Sequence, residues 1–465
     1  MLKTSLSLLT PLTLALLLAG CAVTAHNPPA EAPPPAAFRG STEWQRITAD
    51  VAVPEAWWTM FNDPVLNGLQ ADLIVGNQNL AAALAQVESA RAVLRASRSA
   101  IWPTLSLGGG TTRSASAENN NGQRTVSTSN SLTANAGWEL DLWGRLAAGV
   151  KAAGASYRAS EADLAALRLS AQATLTQSYL ALRTAEAQQA LLERTVVADQ
   201  RALELTQVRY ASGVISQSDV LQARTQLRGV QAQLSDMRTQ RAQLQNAVAT
   251  QLGKLPSQFE LPPSAALPEL PPVPDLVPST VLAQRPDLAA ARARQVAAYA
   301  QIGVADAAFF PSIDLSASAG YRGSSWSNIV SAPNLVWSLG AAVAAPIFDG
   351  GQRRLASDQA RASAEVATAN YRQAVLTAFQ EVEDNLVDFA ESGAALALQR
   401  DAFEAAERNL QIVLDQYRAG TVSYLNVSSA QASLLSAESS LASSRNRQLA
   451  AANVLLKNLG GRLPG

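Results

Sequence analysis

The chain has 465 residues and a formal net charge of −1, and 48% of its residues are hydrophobic. Its basic residues are scattered and form no cluster beside aromatic residues, which argues against nucleic acid as a partner. One histidine, His26, and one cysteine, Cys21, argue against a histidine-based metal or acid–base centre and exclude an internal disulfide. No GxxxxGK(S/T) phosphate-binding loop is present, so we expect neither a catalytic site nor a cofactor.

Residues 1–20 predict a signal peptide. The apolar run over residues 6–20 is too short to span a bilayer comfortably and has the length of a signal peptide. It ends in the sequence LAGC at residues 18–21, which resembles the lipobox of bacterial lipoproteins, where the cysteine thiol is acylated. A buried or incidental free thiol is the alternative for Cys21. Ala22 follows where an aspartate would indicate retention at the inner membrane, so we expect a lipid anchor in the outer membrane.

A predicted tether and helix come next. Residues 21–55 predict a lipidated N-terminal tether, because the stretch 27–37 is rich in proline and alanine and favours an extended chain. Apolar periodicity then predicts one helix from about Val65 to Ala100, which ends before Trp102-Pro103.

Period-two alternation predicts four strands, at about 104–113, 131–142, 312–322 and 335–346. One interpretation is half of a soluble sandwich with its polar face in solvent. Strands of roughly ten residues with one apolar face and tryptophans near their ends are instead typical of membrane barrels. We favour the membrane interpretation because a lipoprotein signal accompanies it. The apolar face of the second strand carries Leu132, Ala134, Ala136, Trp138, Leu140 and Leu142.

Each strand pair precedes a predicted long helical hairpin, with tips at about 209–220 and 416–427. Heptad spacing over 227–248 and 375–389 predicts packing of knobs into holes. A helix from Gly144 to about Tyr210 would be roughly 100 Å long at 1.5 Å per residue. No compact domain contains such a helix, so we expect an elongated tube or rod.

The second hairpin repeats the first at a constant offset of 207 residues. A repeat of this length indicates duplication of a structural half. We therefore predict a first repeat over 56–254 and a second over 281–465, joined by a Pro-rich crossover linker at 255–280. The matched pairs include Tyr210 with Tyr417, Gly213 with Gly420, Ser216 with Ser423 and Val220 with Val427.

The number of strands predicts an oligomer. A barrel in lipid needs at least about eight strands to close without bare edges, and this chain predicts only four. Each backbone group left unpaired in hydrocarbon costs roughly several kcal/mol. The predicted fold class is therefore α+β, with a transmembrane β-barrel shared between subunits and continuing into a long α-helical coiled-coil barrel.

Six motifs occur in order along the chain: the lipobox, WWTMFNDPVLNGL, WELDLWGR, IFDGGQRR, AFQEVEDNL and QYRAGTVSYLNV. Together they resemble the TolC-type outer-membrane efflux channels, and best the NodT-like lipoprotein branch, over about residues 55–460. The resemblance implies a homotrimer with four strands from each chain and a periplasmic α-barrel, which carries drugs or other small molecules outward. It implies as partners a periplasmic membrane-fusion adaptor that opens the channel and an inner-membrane pump, of RND type, that drives it.

The resemblance also implies where function lies. Relatives constrict their pore at the hairpin tips and bind the adaptor there. The gate positions that carry over are Asp415, Tyr417, Arg418 and Asp219. The adaptor positions that carry over are Arg209, Gly213, Val214, Ile215 and Ser216, and Gly420, Thr421, Val422 and Ser423. The aspartates of other members fall on Asn426 and Ser429, which lack the carboxylate that an aspartate ring in the second hairpin needs. A second interpretation, compatible with the first, is that Gly213 and Gly420 only end helices.

A periplasmic coiled-coil scaffold lipoprotein without transport is the alternative function. It explains the long helices and Cys21 but not four amphipathic strands. An envelope enzyme lacks a plausible site, since carboxylates such as Glu381 lie on a helix with heptad neighbours and fit a solvated face.

Overall fold

A computed structural model of the chain describes residues 26–29, 54–118, 122, 124–272 and 285–460. The predicted signal peptide, Cys21, most of the predicted tether and residues 273–284, which span the end of the predicted linker and the start of the second repeat, lie outside these residues. The described chain is mostly helical and contains one antiparallel sheet. Its helices and strands are α1 Pro64–Gly76, α2 Gln78–Ser99, β1 Thr104–Ala115, β2 Val126–Glu139, α3 Arg145–Ala211, α4 Gln217–Gln251, α5 Pro286–Ala307, β3 Ser312–Gly323, β4 Leu335–Ala344, α6 Gln352–Arg418 and α7 Tyr424–Gly460.

The single helix predicted over residues 65–100 is wrong, because the structure breaks it at Asn77. This residue has an extended backbone (φ −70°, ψ 117°). Its side-chain oxygen accepts hydrogen bonds at 3.0 and 3.1 Å from two backbone N–H groups in the first turn of α2, which caps that helix. Its amide group donates to the carbonyl oxygen of Gln251 at 2.7 Å. A Cβ at Gly76 would collide with the carbonyl oxygen of Leu252, so the break lets two backbones approach closely.

The strands form one sheet in the order β1-β2-β3-β4. Residues that pair across antiparallel strands point to the same face of a sheet. The observed register therefore gathers the apolar side chains of all four strands onto one face. That face carries Leu105, Leu107, Leu132, Ala134, Ala136, Trp138, Leu315, Ala317, Ala319, Tyr321, Leu335, Trp337, Leu339 and Ala341.

Two strands end earlier than predicted. β2 runs over Val126–Glu139, which leaves Leu140 and Leu142 outside the strand. The carboxylate of Asp141 explains this end, since it accepts hydrogen bonds at 2.9 and 2.7 Å from backbone N–H groups that open α3. β4 ends at Ala344, close to Pro346, which has no backbone N–H to donate to a ladder.

The described residues group into two compact units. The first contains the segments Ala85–Glu161 and Ala289–Gln373, in which all four strands lie. Within it, the Trp143 ring stacks on Phe310 with 4.9 Å between centroids. The Trp143 indole also donates to the carbonyl oxygen of Pro311 at 2.6 Å, which ties the start of α3 to the start of β3.

The second unit contains the segments Ala162–Leu288 and Ala374–Gly465, and with them both helical turns. Trp57 and Phe61 are fully buried in its main core, against residues of α1, α3, α4 and α7. Asp63 caps α1 and accepts a hydrogen bond from the Tyr179 hydroxyl at 2.6 Å. In the described part of the chain, no helix is both long enough and apolar enough to cross a lipid bilayer.

Candidate functional site at the two helical turns

The turn between α3 and α4 ends the first long helix by a Schellman motif. Gly213 adopts φ +72°, the left-handed conformation that a residue with a side chain rarely takes. The Gly213 N–H donates to the carbonyl oxygen of Tyr210 at 2.9 Å, and the Val214 N–H donates to that of Arg209 at 3.0 Å. These bonds satisfy carbonyl groups that a helix end otherwise leaves unpaired.

The turn between α6 and α7 has the same backbone. Gly420 has φ +75°, and its N–H donates to the carbonyl oxygen of Tyr417 at 3.1 Å. The Thr421 N–H donates to that of Gln416 at 3.0 Å. Both predicted glycine positions therefore lie at left-handed helix C-termini.

Different side chains hold the helix that follows each turn. The Ser216 backbone N–H donates to the Asp219 carboxylate at 3.1 Å, and its hydroxyl donates to the same oxygen at 3.0 Å. This is a capping box at the start of α4, with a carboxylate near the positive end of the helix dipole. In the second turn the Ser423 hydroxyl donates to the side-chain oxygen of Asn426 at 3.0 Å, without a negative charge.

Asp415 and Arg418 form an ion pair within α6. The shortest N–O distance is 2.8 Å, and both side chains are 71% exposed. They lie three residues apart on one helix, so the pair is intrahelical. Such an exposed pair contributes only about 0–1 kcal/mol to stability.

Tyr417 joins the two turns. The Arg209 guanidinium carbon lies 4.8 Å from the centre of the Tyr417 ring, within the range of a cation–π interaction. Tyr417 also contacts the Tyr424 ring edge to face, with 5.9 Å between the ring centroids. The structure thus brings together one predicted adaptor residue, Arg209, and one predicted gate residue, Tyr417.

Behind the turns, all four long helices share one buried cluster. We call it the turn core; its residues are Leu203 of α3, Val220, Ala223 and Leu227 of α4, Tyr424 and Val427 of α7, and, partly buried, Val196, Ala202, Val413, Leu414 and Tyr417. Tyr424 is 3% exposed. Burial, followed by the negative charge of Asp199, raises the pKa of Tyr424 to about 12.

Sequence reasoning missed Tyr424 and Asp199. The 207-residue offset could have singled out Tyr424, since it stands where the first turn has the polar Gln217. Among the described residues, no group of three His, Cys, Asp or Glu side chains is arranged to hold a metal ion.

With its long helices, amphipathic four-stranded sheet and matched turns, the chain shares the fold of solved outer-membrane channels. The chain belongs to the outer membrane efflux protein family, whose model matches residues 69–254 and 277–461. That family is one of transport components, so the resemblance and the outer-membrane location predicted from the motifs are confirmed.

Individual relatives agree with this assignment. An antibiotic efflux pump outer membrane protein, ArpC of Pseudomonas putida, is 31% identical over 98% of this chain and 95% of its own. A toluene efflux pump outer membrane protein, TtgC of a Pseudomonas putida strain, has the same identity and coverage. The solved outer-membrane channel OprN is 28% identical, with a TM-score of 0.87 over 95% of this chain and 100% of that one.

Proposed function

We propose that three copies of this chain form one passive channel that crosses the outer membrane and extends into the periplasm. The observation that carries the proposal is the four-stranded sheet with one apolar face. In the described chain β1 and β4 each pair on one side only, so each leaves an open edge. Backbone groups on such an edge cost roughly several kcal/mol each in lipid. Pairing β4 of one copy with β1 of the next removes every edge once the ring closes.

The number of copies follows from the width that a conduit needs. Two copies would give eight strands, and the interior of an eight-stranded barrel is about filled by side chains. Three copies give the twelve-stranded barrel that the family resemblance implies, with the polar strand faces around an aqueous lumen. The exposed apolar side chains, such as Leu107, Trp337 and Leu339 at 71–77% exposed, would then contact lipid.

The two hairpins would form the periplasmic α-barrel, as paired halves of a duplicated unit. α3 and α6 are each 67 residues long. The family model matches the chain in two segments that each contain one hairpin. Both observations support a two-fold internal repeat over 56–254 and 281–465.

The lipid on Cys21 would be a second anchor beside the barrel. His26, five positions later in the chain, bonds to the Asp306 carboxylate with a distance of 3.0 Å between Nε2 and Oδ2. The Lys151 ammonium group donates to the side-chain oxygen of Asn27 at 3.2 Å.

Cys21→Ser should abolish incorporation of labelled palmitate and leave the precursor uncut. Labelled palmitate on this variant would overturn the lipid assignment.

The partners would be a periplasmic membrane-fusion adaptor and an inner-membrane pump of RND type. Several of the nine adaptor positions at the turns are exposed, among them Val214, an apolar residue that is 66% exposed. ArpC and TtgC are named as parts of antibiotic and toluene efflux pumps at equal identity to this chain. We therefore propose drugs and other small molecules as cargo, with the choice of cargo made by the pump.

The proposed gate lies at the second turn, where Asp415 and Arg418 of three copies would form a ring of charge. Several symmetry-related pairs at a constriction can contribute more than one exposed pair does. Changing both residues to alanine should loosen the constriction and raise the single-channel conductance in planar bilayers, while the yield of trimer stays unchanged.

The same helix supplies a matched control pair. Glu404 and Arg408 are likewise exposed and charged, at 3.9 Å, but lie away from the turn. Their double alanine variant should conduct as the wild type does. Equal conductance in all three proteins would move the gate to Tyr417 or Asp219, and a protein without any conductance would favour the periplasmic scaffold.

A further inference from the structure

Asp199 occupies a position in α3 where a coiled coil normally has an apolar residue. Leu192, Val196, Asp199, Leu203 and Thr206 follow one another at spacings of four, three, four and three residues. This is the heptad spacing of residues that face partner helices. The side chain of Asp199 is 1% exposed, and its neighbours Val196 and Leu203 belong to the turn core. An ionisable group thus lies within the contact between the helices.

The carboxylate of Asp199 is buried without a charged partner among the described residues. Neither of its oxygens accepts a hydrogen bond of ordinary geometry from any residue that the structure describes. The hydroxyl groups of Tyr417 and Tyr424 in the turn core are also buried and unbonded within that part of the chain. Burial raises the pKa of Asp199 to about 6, although the nearby amide of Gln226 acts in the opposite direction.

Two neighbouring helices contribute neutral polar groups to the surroundings of Asp199. α4 contributes the Gln226 amide, and α7 contributes Tyr424, whose hydroxyl lies in the field of the carboxylate. Tyr417 of α6 lies beside the Tyr424 ring. The charged residues of the turns are engaged elsewhere. Arg209 covers the Tyr417 ring, Asp219 caps α4, and Asp415 pairs with Arg418. None of these charges compensates the carboxylate in the described structure.

We propose that Asp199 is a positioning residue that sets how tightly the four helices close behind the turns, with its ionised form loosening the turn core and its protonated form tightening it. An unpaired charge in an apolar contact is costly, and the ionised group gains free energy when the helices separate and water reaches it. The neutral carboxylic acid gains no comparable free energy from hydration, so it does not favour separation of the helices.

The direction of the pH effect follows from the raised pKa of Asp199. The closed turn core holds this proton up to about pH 6, whereas an opened core releases it near the ordinary value of 3.8. The contribution to stability is therefore fully present below about pH 4, falls as the pH rises toward 6, and is lost above it. At neutral pH the turn core is loosened, and acid tightens it.

Hydrogen exchange of the full-length protein in detergent tests this directly. Peptides from the turns should exchange on the order of a hundredfold faster in the wild type than in Asp199→Asn at pH 7.5, because the pKa of Asp199 rises from 3.8 to about 6 and each pKa unit corresponds to a tenfold change in a protonation equilibrium. The ratio should approach one at pH 4. Comparing the two proteins at the same pH cancels the intrinsic pH dependence of amide exchange.

Glu204→Gln is the matched control, since Glu204 carries the same charge on α3 but is exposed. The ratio of the exchange rates of the wild type and Glu204→Gln should be one at every pH. Asp199→Leu, which restores an apolar heptad residue, should slow exchange at pH 7.5 as Asp199→Asn does. A turn that exchanges faster in both Asp199 variants, or a ratio that does not change with pH, would overturn the proposal.

The consequence for conduction rests on the proposed function. If the turns close a channel, the wild type should conduct less at pH 5 than at pH 7.5, and Asp199→Asn should remove that difference. A pH-dependent exchange ratio without conductance would uphold the role of Asp199 while contradicting the channel. Conductance that varies equally with pH in both proteins would contradict the role of Asp199 and leave the channel standing.

Discussion

The two helical turns share one backbone and are held in place by different means. Gly213 and Gly420 have φ angles of +72° and +75° and the same pair of hydrogen bonds. The first turn is fixed by a polar capping box at its own surface, and its Tyr210 is 45% exposed. The second is fixed by Tyr424, which is buried among residues of four helices. The backbone conformation is therefore set locally, whereas the second turn is coupled to the turn core by an aromatic side chain that the first turn lacks at the equivalent position.

Because of this difference, the second turn should respond more strongly than the first to changes in the turn core. A capping box satisfies only groups within one helix end. An aromatic residue in a shared core transmits any displacement of its neighbours, because packed cores do not deform continuously. We therefore expect changes in the turn core to reach the second turn before the first.

The largest expected effect is that of Tyr424→Ala. It should lower the free energy of local opening by about 3 kcal/mol, because truncating a buried aromatic side chain leaves a cavity. Gln217→Ala, at the equivalent exposed position of the first turn, should change it by less than about 0.5 kcal/mol. Hydrogen exchange of the turn peptides measures both. Equal effects would remove the distinction between the turns.

A smaller effect, equal in the two turns, is expected from Gly213→Ala and Gly420→Ala. Each should cost about 1–2 kcal/mol of local stability, because a side chain disfavours the left-handed conformation. A Cβ at either position meets no atom within 4 Å, so the cost is conformational rather than steric. Gly229→Ala is the control, since this helical glycine also has open space around it and should gain roughly 0.5–1 kcal/mol.

The smallest effect concerns the caps. Asp219→Ala should destabilise the start of α4 by about 0.5–1 kcal/mol, since it removes a charged acceptor from a capping box. Asn426→Ala should destabilise the start of α7 by no more than half of this amount, because the Asn426 side chain carries no charge. Hydrogen exchange of the amides at the start of α4 and at the start of α7 measures the two values separately. A larger loss in the second turn would show that Asn426 has a further partner.

Features that depend on neighbours in sequence were predictable, and those that depend on contacts across the fold were not. Alternation of apolar and polar residues located four strands to within a few residues, because the period of two is a property of each strand. The break at Asn77 was missed because its side chain bonds to Gln251, far along the chain. Asp199 was missed although its heptad spacing is in the sequence, since only packing shows that its carboxylate is buried without a charged partner.

Cross-linking of the sheet edges tests the central claim most directly, namely that copies of this chain share one closed barrel. Ser106→Cys on β1 would be combined in turn with Ser338→Cys, Gly340→Cys and Ala342→Cys on the polar face of β4 and then oxidised. Variants with one introduced cysteine control for any reaction of Cys21. A closed barrel shared by three copies predicts covalent species that end at three chains for at least one register. Unlinked monomers at every register, or a ladder that continues beyond three, would contradict it.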